Sequence, residues 1–111
     1  MLQHRKNIPL DYSLCQDRVT VYRRESLTRR VLHGVHWELT QSRSIDTGRE
    51  SHTPGFLLIV PGGCDLQLGD RIALGEGPEI AAWADTAGYP TVGAVKHCRF
   101  RGRLCHTEAR G

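Results

Sequence analysis

The sequence contains no long apolar run and none of the common catalytic motifs. Its longest apolar run is five residues, at 56–60, far short of the roughly 20 residues that cross a bilayer. The first fourteen residues lack the apolar stretch of a secretory signal. GxSxG, HExxH, GxGxxG and a Walker loop are also missing. We therefore expect neither a membrane span, nor export, nor enzyme activity.

Lysine is scarce as well. Of the 15 basic residues only Lys6 and Lys96 are lysines, and the other 13 are arginines. Arginine forms bidentate contacts with carboxylates and phosphates, although a G+C-rich genome would produce the same bias. Because 12 acidic residues reduce the formal net charge to +3, the charge balance alone does not predict nucleic-acid binding.

The four cysteines form no CxxC pair, which favours free thiols in a reducing compartment. They are Cys15, Cys64, Cys98 and Cys105.

A period of two residues dominates the rest of the chain and predicts a mostly β protein. The expected strands are residues 17–24, 30–40, 55–61, 70–75, 91–101 and 103–111. A short helical insert is expected near 79–85, and the polar segment 41–54, with a single apolar residue, is expected to be a long exposed loop. Because an open sheet would leave long edges exposed, we favour a small β-barrel, with a β-sandwich as the alternative.

Length limits the chain to one domain, since 111 residues support a single modest core. We expect an extended N-terminal arm over residues 1–16 and a β-barrel domain over 17–111. Within the strand 30–40 the odd positions form a mostly apolar face, which predicts a core position for His33. That face consists of Val31, His33, Val35, Trp37 and Leu39.

Four residues near the C-terminus have the side chains of a zinc site: His97, Cys98, Cys105 and His106. A two-residue turn at Arg101-Gly102 would place Cys98 opposite Cys105. Adjacent strand residues point to opposite faces, however, so the two cysteines and the two histidines could not share a metal without a bulge. We therefore expect small core cysteines and surface histidines, and no metal or other cofactor.

Arginines cluster near the ends of the first predicted hairpin and around Phe100. They are candidates either for contacts between subunits or for a nucleic-acid interface of the kind found on small β-barrels. The residues are Arg23, Arg24, Arg29, Arg30, Arg99, Arg101 and Arg103. Because acidic residues are interleaved with them, we favour the subunit contacts.

The order of several short motifs also carries a family resemblance. The motifs are VTVYRRE, GVHWE, an apolar strand ending at Val60-Pro61, LGDRI followed by Gly75, and finally FRG and HTEARG. Over residues 17–111 their order resembles that of the small minor capsid proteins encoded among the head–tail connection genes of tailed phages and prophages. It is more loosely similar to the head-closure (stopper) proteins of long-tailed phages.

This resemblance implies a β-barrel that assembles as a homo-oligomeric ring of six or twelve copies between portal or adaptor and tail-terminator proteins. It implies no cofactor and no catalysis, and it places the protein in the phage neck after synthesis in the bacterial cytoplasm. The loop 41–54 would reach the channel or a neighbouring ring and help to retain packaged DNA. The N-terminal arm would act as a tether. Non-specific contact with the packaged DNA is a further expectation. The loop candidates are Arg43, Asp46, Arg49, Glu50 and His52.

Overall fold

In the part of the chain that the structure describes, the regular structure consists of six β-strands and two short 3-10 turns. The computed structural model describes the backbone of residues 12–46 and 49–111 and the side chains of residues 12–40 and 55–111. The strands are β1 (Asp17–Arg23), β2 (Thr28–Asp46), β3 (Arg49–Pro61), β4 (Arg71–Leu74), β5 (Ala94–Phe100) and β6 (Arg103–Arg110). They form one antiparallel sheet in the order β4-β1-β2-β3-β6-β5, which confirms the predicted mostly β class.

Strand β2 changes its partner halfway along its length. Residues 28–35 pair with β1, and residues 36–46 pair with β3. The change coincides with a shift of register between Asp17 and Arg18, where β2 carries the extra residue Gly34 at φ +68°. Bulges of this kind let a strand turn a corner between two parts of a sheet. The sheet therefore has two halves, joined at Gly34.

The bulge overturns the prediction that the odd positions of 30–40 share one apolar face. Val35 is fully buried, but His33 is exposed, and the even-numbered Leu32 packs against the core on the other side of the bulge. One extra residue reverses the alternation of side chains. His33 is therefore a surface residue and not the core histidine that the pattern predicted.

The core lies between the two halves of the sheet. One half supplies Val19, Val21 and Ile72, and the other supplies Phe56, Leu58, Val60 and Ala109. Leu66 and Val92, from the segments that flank β4 and β5, join the same cluster. Trp37 stacks on Phe56 at 4.8 Å between ring centroids, which extends the core towards the far end of β2.

The ladders leave β4 and β5 as the edges of the sheet, so they do not close it into the predicted barrel. A short bridge between Arg71 and Thr91 nevertheless joins the beginning of β4 to the segment that leads into β5. The Ile72 N–H donates to the Pro90 carbonyl at 3.0 Å, and the Val92 N–H donates to the Asp70 carbonyl at 2.7 Å. This bridge covers part of an otherwise open edge.

The prediction of a long loop at 41–54 is wrong, because β2 and β3 continue as paired strands through it. The backbone register runs from Gln41 opposite Pro54 to Asp46 opposite Arg49. Among the described residues, these two stretches pair only with each other. Apolar alternation marks strands that have one face against a core, and residues 41–54 contain a single apolar residue, so the sequence pattern did not reveal these strands. We call residues 41–54 the hairpin arm.

The helical insert predicted near 79–85 is a single 3-10 turn at Trp83–Thr86. It begins towards the end of the predicted range and ends one residue beyond it. A second 3-10 turn, Tyr12–Leu14, precedes β1. Residues 1–11 of the predicted N-terminal arm 1–16 lie outside the described part, so the domain boundary at residue 17 stays a prediction. Within the described residues, no helix has the length and apolar character needed to span a bilayer.

Candidate functional site

The β5–β6 hairpin turns at the residues that the sequence indicated. Arg101 and Gly102 have φ values of +53° and +79°, the left-handed conformation that a two-residue type I′ turn requires at both positions. Phe100 pairs with Arg103 and Arg99 pairs with Leu104, as this turn dictates.

The register then shifts by one residue. Cys98 pairs with His106 and His97 pairs with Thr107, which leaves Cys105 without a cross-strand partner in this ladder. Cys105 is therefore the extra residue of a β-bulge. The expected pairing of Cys98 with Cys105 is wrong for this reason, and the bulge brings a cysteine and a histidine together across the two strands.

Three side chains with metal-binding atoms meet beside this bulge. Their ligand atoms, on Cys98, His106 and Glu108, all lie within 4.8 Å of one another. His106 Nε2 lies 2.9 Å from Glu108 Oε2, and Cys98 Sγ lies 3.5 Å from the same oxygen. Glu108 joins them because residues two apart on a strand share a face. We call these three residues the Cys-His-Glu cluster.

Tyr12 connects the N-terminal 3-10 turn to this cluster. Its hydroxyl lies 2.6 Å from His106 Nδ1, and its ring packs edge-on against the imidazole at 5.5 Å. His106 is 8% exposed, so both of its ring nitrogens are occupied in a nearly buried position. The orientation of the imidazole is therefore fixed from two sides.

The environment of the cluster shifts the pKa of each of three neighbouring groups. The hydrogen bond from His106 lowers the pKa of Glu108, with help from Cys98 and Arg110. Burial raises the pKa of the Cys98 thiol, and the Glu108 carboxylate raises it further. Burial also raises the pKa of Tyr12, as do the nearby Cys105 and Cys98 thiols. Glu108 is thus held as an anion and Cys98 as a thiol at neutral pH.

Two of the four sequence candidates for a zinc site, Cys98 and His106, belong to the cluster. His97 lies on the other face, with Nδ1 2.9 Å from Thr107 Oγ1, while the Cys105 thiol faces the Arg103 carbonyl at 3.5 Å. The sequence analysis missed Glu108, which the spacing His106-Thr107-Glu108 on one strand could have revealed. All four cysteines are described, and none forms a disulfide.

Three arginines of the first cluster make contacts within the molecule. Arg23 forms a bidentate ion pair with Asp70, with Nε–Oδ1 at 3.1 Å and Nη2–Oδ2 at 2.9 Å. Arg29 donates to the Gly77 carbonyl at 2.7 Å, and Arg30 donates to the Asp65 carbonyl at 2.7 Å. These bonds connect the first hairpin to the segments on either side of β4. Many of the N–H groups of these three arginines therefore already donate to partners within the molecule.

The remaining arginine candidates are exposed. Arg24 lines an open cleft of about 320 Å³ with Asp70, Arg71 and Trp83. Arg99, Arg101 and Arg103 surround the tip of the β5–β6 hairpin, where the Arg101 guanidinium lies 5.3 Å from the centre of the Phe100 ring. Of the seven arginines, three therefore bond within the molecule, three lie at the exposed hairpin tip, and Arg24 lines the cleft beside β4.

The five arm candidates lie on the hairpin arm, where the backbone register places Arg43 opposite His52, Asp46 opposite Arg49, and Glu50 opposite Ile45. Their side chains lie outside the described part of the structure.

Comparisons of this chain with protein-family models, curated proteins and solved structures find no match.

Proposed function

We propose that this chain is a non-enzymatic virion structural protein of a tailed phage. In this proposal it forms a homo-oligomeric head–tail connector ring of the head-closure type, between portal or adaptor and tail-terminator proteins, and helps to retain packaged DNA. The observation that carries the proposal is the hairpin arm, which extends β2 and β3 beyond every other described strand of the sheet.

The energetics of the arm support a role in assembly. Its backbone pairs run from residues 41 and 54 to residues 46 and 49. A two-stranded ribbon is at best marginally stable in water by itself, so contact with a neighbouring molecule would stabilise such an arm. A subunit of a ring offers such a neighbour on each side.

The base of the arm adds a second supporting feature. Leu39 is 75% exposed and lines an open cleft of about 340 Å³ together with Gly55, Pro90 and Thr91. Large apolar side chains that line an exposed cleft are typical of the apolar centre of a protein interface. A neighbouring subunit that inserts an apolar side chain into this cleft would cover Leu39.

A variant without the arm tests the proposal. Thr40 and Gly55 are paired, so residues 41–54 can be replaced by Asn-Gly, the residues that favour a two-residue hairpin turn. We expect the variant to melt at nearly the wild-type temperature but to form no ring by sedimentation, either alone or with portal and tail proteins. Glu79→Gln, an exposed change outside the arm, serves as the control and should assemble normally. A wild-type chain that stays monomeric with every such partner would refute the proposal.

The exposed hairpin tip keeps nucleic-acid binding as the second candidate function. Arg99, Arg101 and Arg103 could contact phosphates from the tip, and such contacts weaken linearly in log affinity as log salt rises. If the chain binds nucleic acid, we expect a gel shift at low salt, and we expect Arg99→Gln and Arg101→Gln to weaken it. The absence of any shift at low salt would end it.

A further inference from the structure

The Cys-His-Glu cluster has the chemistry of a transition-metal site. Cys98 Sγ and His106 Nε2 both approach one carboxylate oxygen, Glu108 Oε2, at 3.5 and 2.9 Å. In a tetrahedral zinc site, ligand atoms lie about 3.3–3.6 Å apart, as bond lengths of about 2.0–2.3 Å require. The three atoms therefore need shifts of only about 1 Å or less to surround one ion.

We propose that Cys98, His106 and Glu108 bind a borderline-soft divalent cation, with Zn²⁺ as the ion that fits best. A thiolate and an imidazole favour zinc over magnesium or calcium, which prefer ligand sets made only of oxygen. Three protein ligands leave a fourth position for water or for a group from a partner. This site is independent of the proposed connector function and differs from the four-residue set considered from the sequence.

The surroundings of His106 support the assignment. When Nε2 binds the ion, Nδ1 carries the imidazole proton and donates it to the Tyr12 hydroxyl, which already lies 2.6 Å away. Histidine ligands of metals characteristically donate their second N–H to such a partner, which fixes the tautomer and the ring orientation. Tyr12 would thus act as a positioning residue.

The β-bulge explains why the site exists at all. With a regular ladder, Cys98 would face Cys105 and His106 would face His97. The extra residue, Cys105, shifts His106 opposite Cys98. Bulges often re-aim a side chain beside a functional site, and here the bulge assembles ligands that period-two spacing would separate.

Binding of Zn²⁺ would change where the protons of Cys98 and of the His106 imidazole lie. Starting from a neutral imidazole, Cys98 loses its thiol proton to solvent, and the imidazole proton changes from Nε2 to Nδ1. The Tyr12 hydroxyl correspondingly changes from donor to acceptor. Binding of one Zn²⁺ therefore releases one proton and involves no oxidation or reduction, so the affinity should rise with pH.

Cobalt titration of the purified full chain tests the proposal, because Co²⁺ bound by a thiolate absorbs in the near ultraviolet. We expect one Co²⁺ per chain, displaced by Zn²⁺. Cys98→Ser should abolish the thiolate band and weaken binding about 100-fold or more, and Tyr12→Phe should weaken it about 10-fold, as changes around a metal site do. Cys64→Ser, at a cysteine outside the cluster, is the matched control and should bind as the wild type does.

Three results would overturn the assignment. They are no stoichiometric Co²⁺ binding by the wild type, an unchanged thiolate band in Cys98→Ser, or an equal loss in Cys64→Ser. Circular dichroism of the metal-free variants checks that each is folded, and Glu108→Gln provides a second ligand variant if Cys98→Ser does not fold. Metal binding is measured on the isolated chain, so failure here leaves ring assembly untouched, and failure of ring assembly leaves the metal site standing.

Discussion

At the scale of single residues, the Arg23–Asp70 ion pair connects the first hairpin to the turn before β4. The Asp70 side chain is only 3% exposed, and the Arg23 side chain is 18% exposed. Asp70 also accepts a hydrogen bond from the Gln67 N–H at 3.0 Å. A carboxylate so nearly withdrawn from water requires these partners, because an unpaired buried charge is costly.

Removing one partner of this pair should therefore be costly. We expect Arg23→Ala, which leaves the Asp70 carboxylate buried and unpaired, to lower the free energy of unfolding by about 3 kcal/mol. Arg18→Ala, which breaks the exposed pair with Glu76, should cost less than about 1 kcal/mol. Urea unfolding of both variants measures the difference. Equal losses in the two variants would show that the burial of Asp70 does not matter.

A second residue-scale prediction concerns Asp85. Its carboxylate accepts the backbone N–H groups of Ala81 at 2.9 Å and Ala82 at 3.1 Å, and these bonds lower its pKa from the ordinary value of 3.8. A lowered pKa in the folded state means that the contribution to stability is present above the unfolded pKa and is lost as the pH falls through the folded pKa. Carbon-detected NMR titration should give a midpoint for Asp85 below 3.8. A midpoint at or above that value would contradict the two backbone hydrogen bonds to Asp85.

At the scale of elements, two bulges determine what the strands place together. Gly34 turns the corner of β2, and Cys105 shifts β5 against β6. Each inserts one residue into a ladder and exchanges the faces of the side chains that follow. The core and the Cys-His-Glu cluster both depend on these shifts.

Gly34 occupies a backbone conformation that other residues rarely adopt. A Cβ at this residue would meet nothing closer than the Cys15 carbonyl oxygen at 3.9 Å, so space is available, but φ is +68°. Gly34→Ala should therefore lower stability by about 1 kcal/mol or more through backbone strain alone. Gly93→Ala, where φ is not in the left-handed region and the nearest atom is 3.7 Å away, is the control. Thermal unfolding compares them, and equal melting temperatures would contradict a strained bulge.

The same bulges limited what the sequence could predict about the structure. Alternation correctly located the strand around Val19 and Val21, and the left-handed pair Arg101-Gly102 was readable as a turn. Alternation assumes an unbroken period of two, so it misplaced His33 and could not foresee that Cys98 pairs with His106. Residues 41–54 contain a single apolar residue, so alternation offered no signal for the strands of the hairpin arm.

At the scale of the whole molecule, the chain is broad and thin for its length. The radius of gyration is 15.8 Å and the principal extents are 45 × 42 × 22 Å, whereas a compact chain of this length has a radius of about 13 Å. An extended subunit offers more surface to neighbours than a sphere of equal mass does. This shape accords with a protein that completes its packing in an assembly.

Leu39 provides a test of that idea at this scale. If its cleft is a contact between subunits, Leu39→Ser should weaken ring formation at least tenfold while leaving the melting temperature of the monomer nearly unchanged, since the side chain is 75% exposed. Leu74→Ser, at a leucine that is 62% exposed at the β4 edge, is the matched control. Sedimentation velocity over a range of concentrations compares the two. If both variants assemble equally well, the contact between subunits does not include Leu39.

The protein composition of purified phage particles tests the proposed connector function most directly. If the proposed function is correct, mass spectrometry of tailed particles from the encoding phage or prophage should find six or twelve copies of the chain per particle, and imaging should show them as a ring between portal and tail. Complete, infectious particles that lack the chain would contradict the proposed connector function.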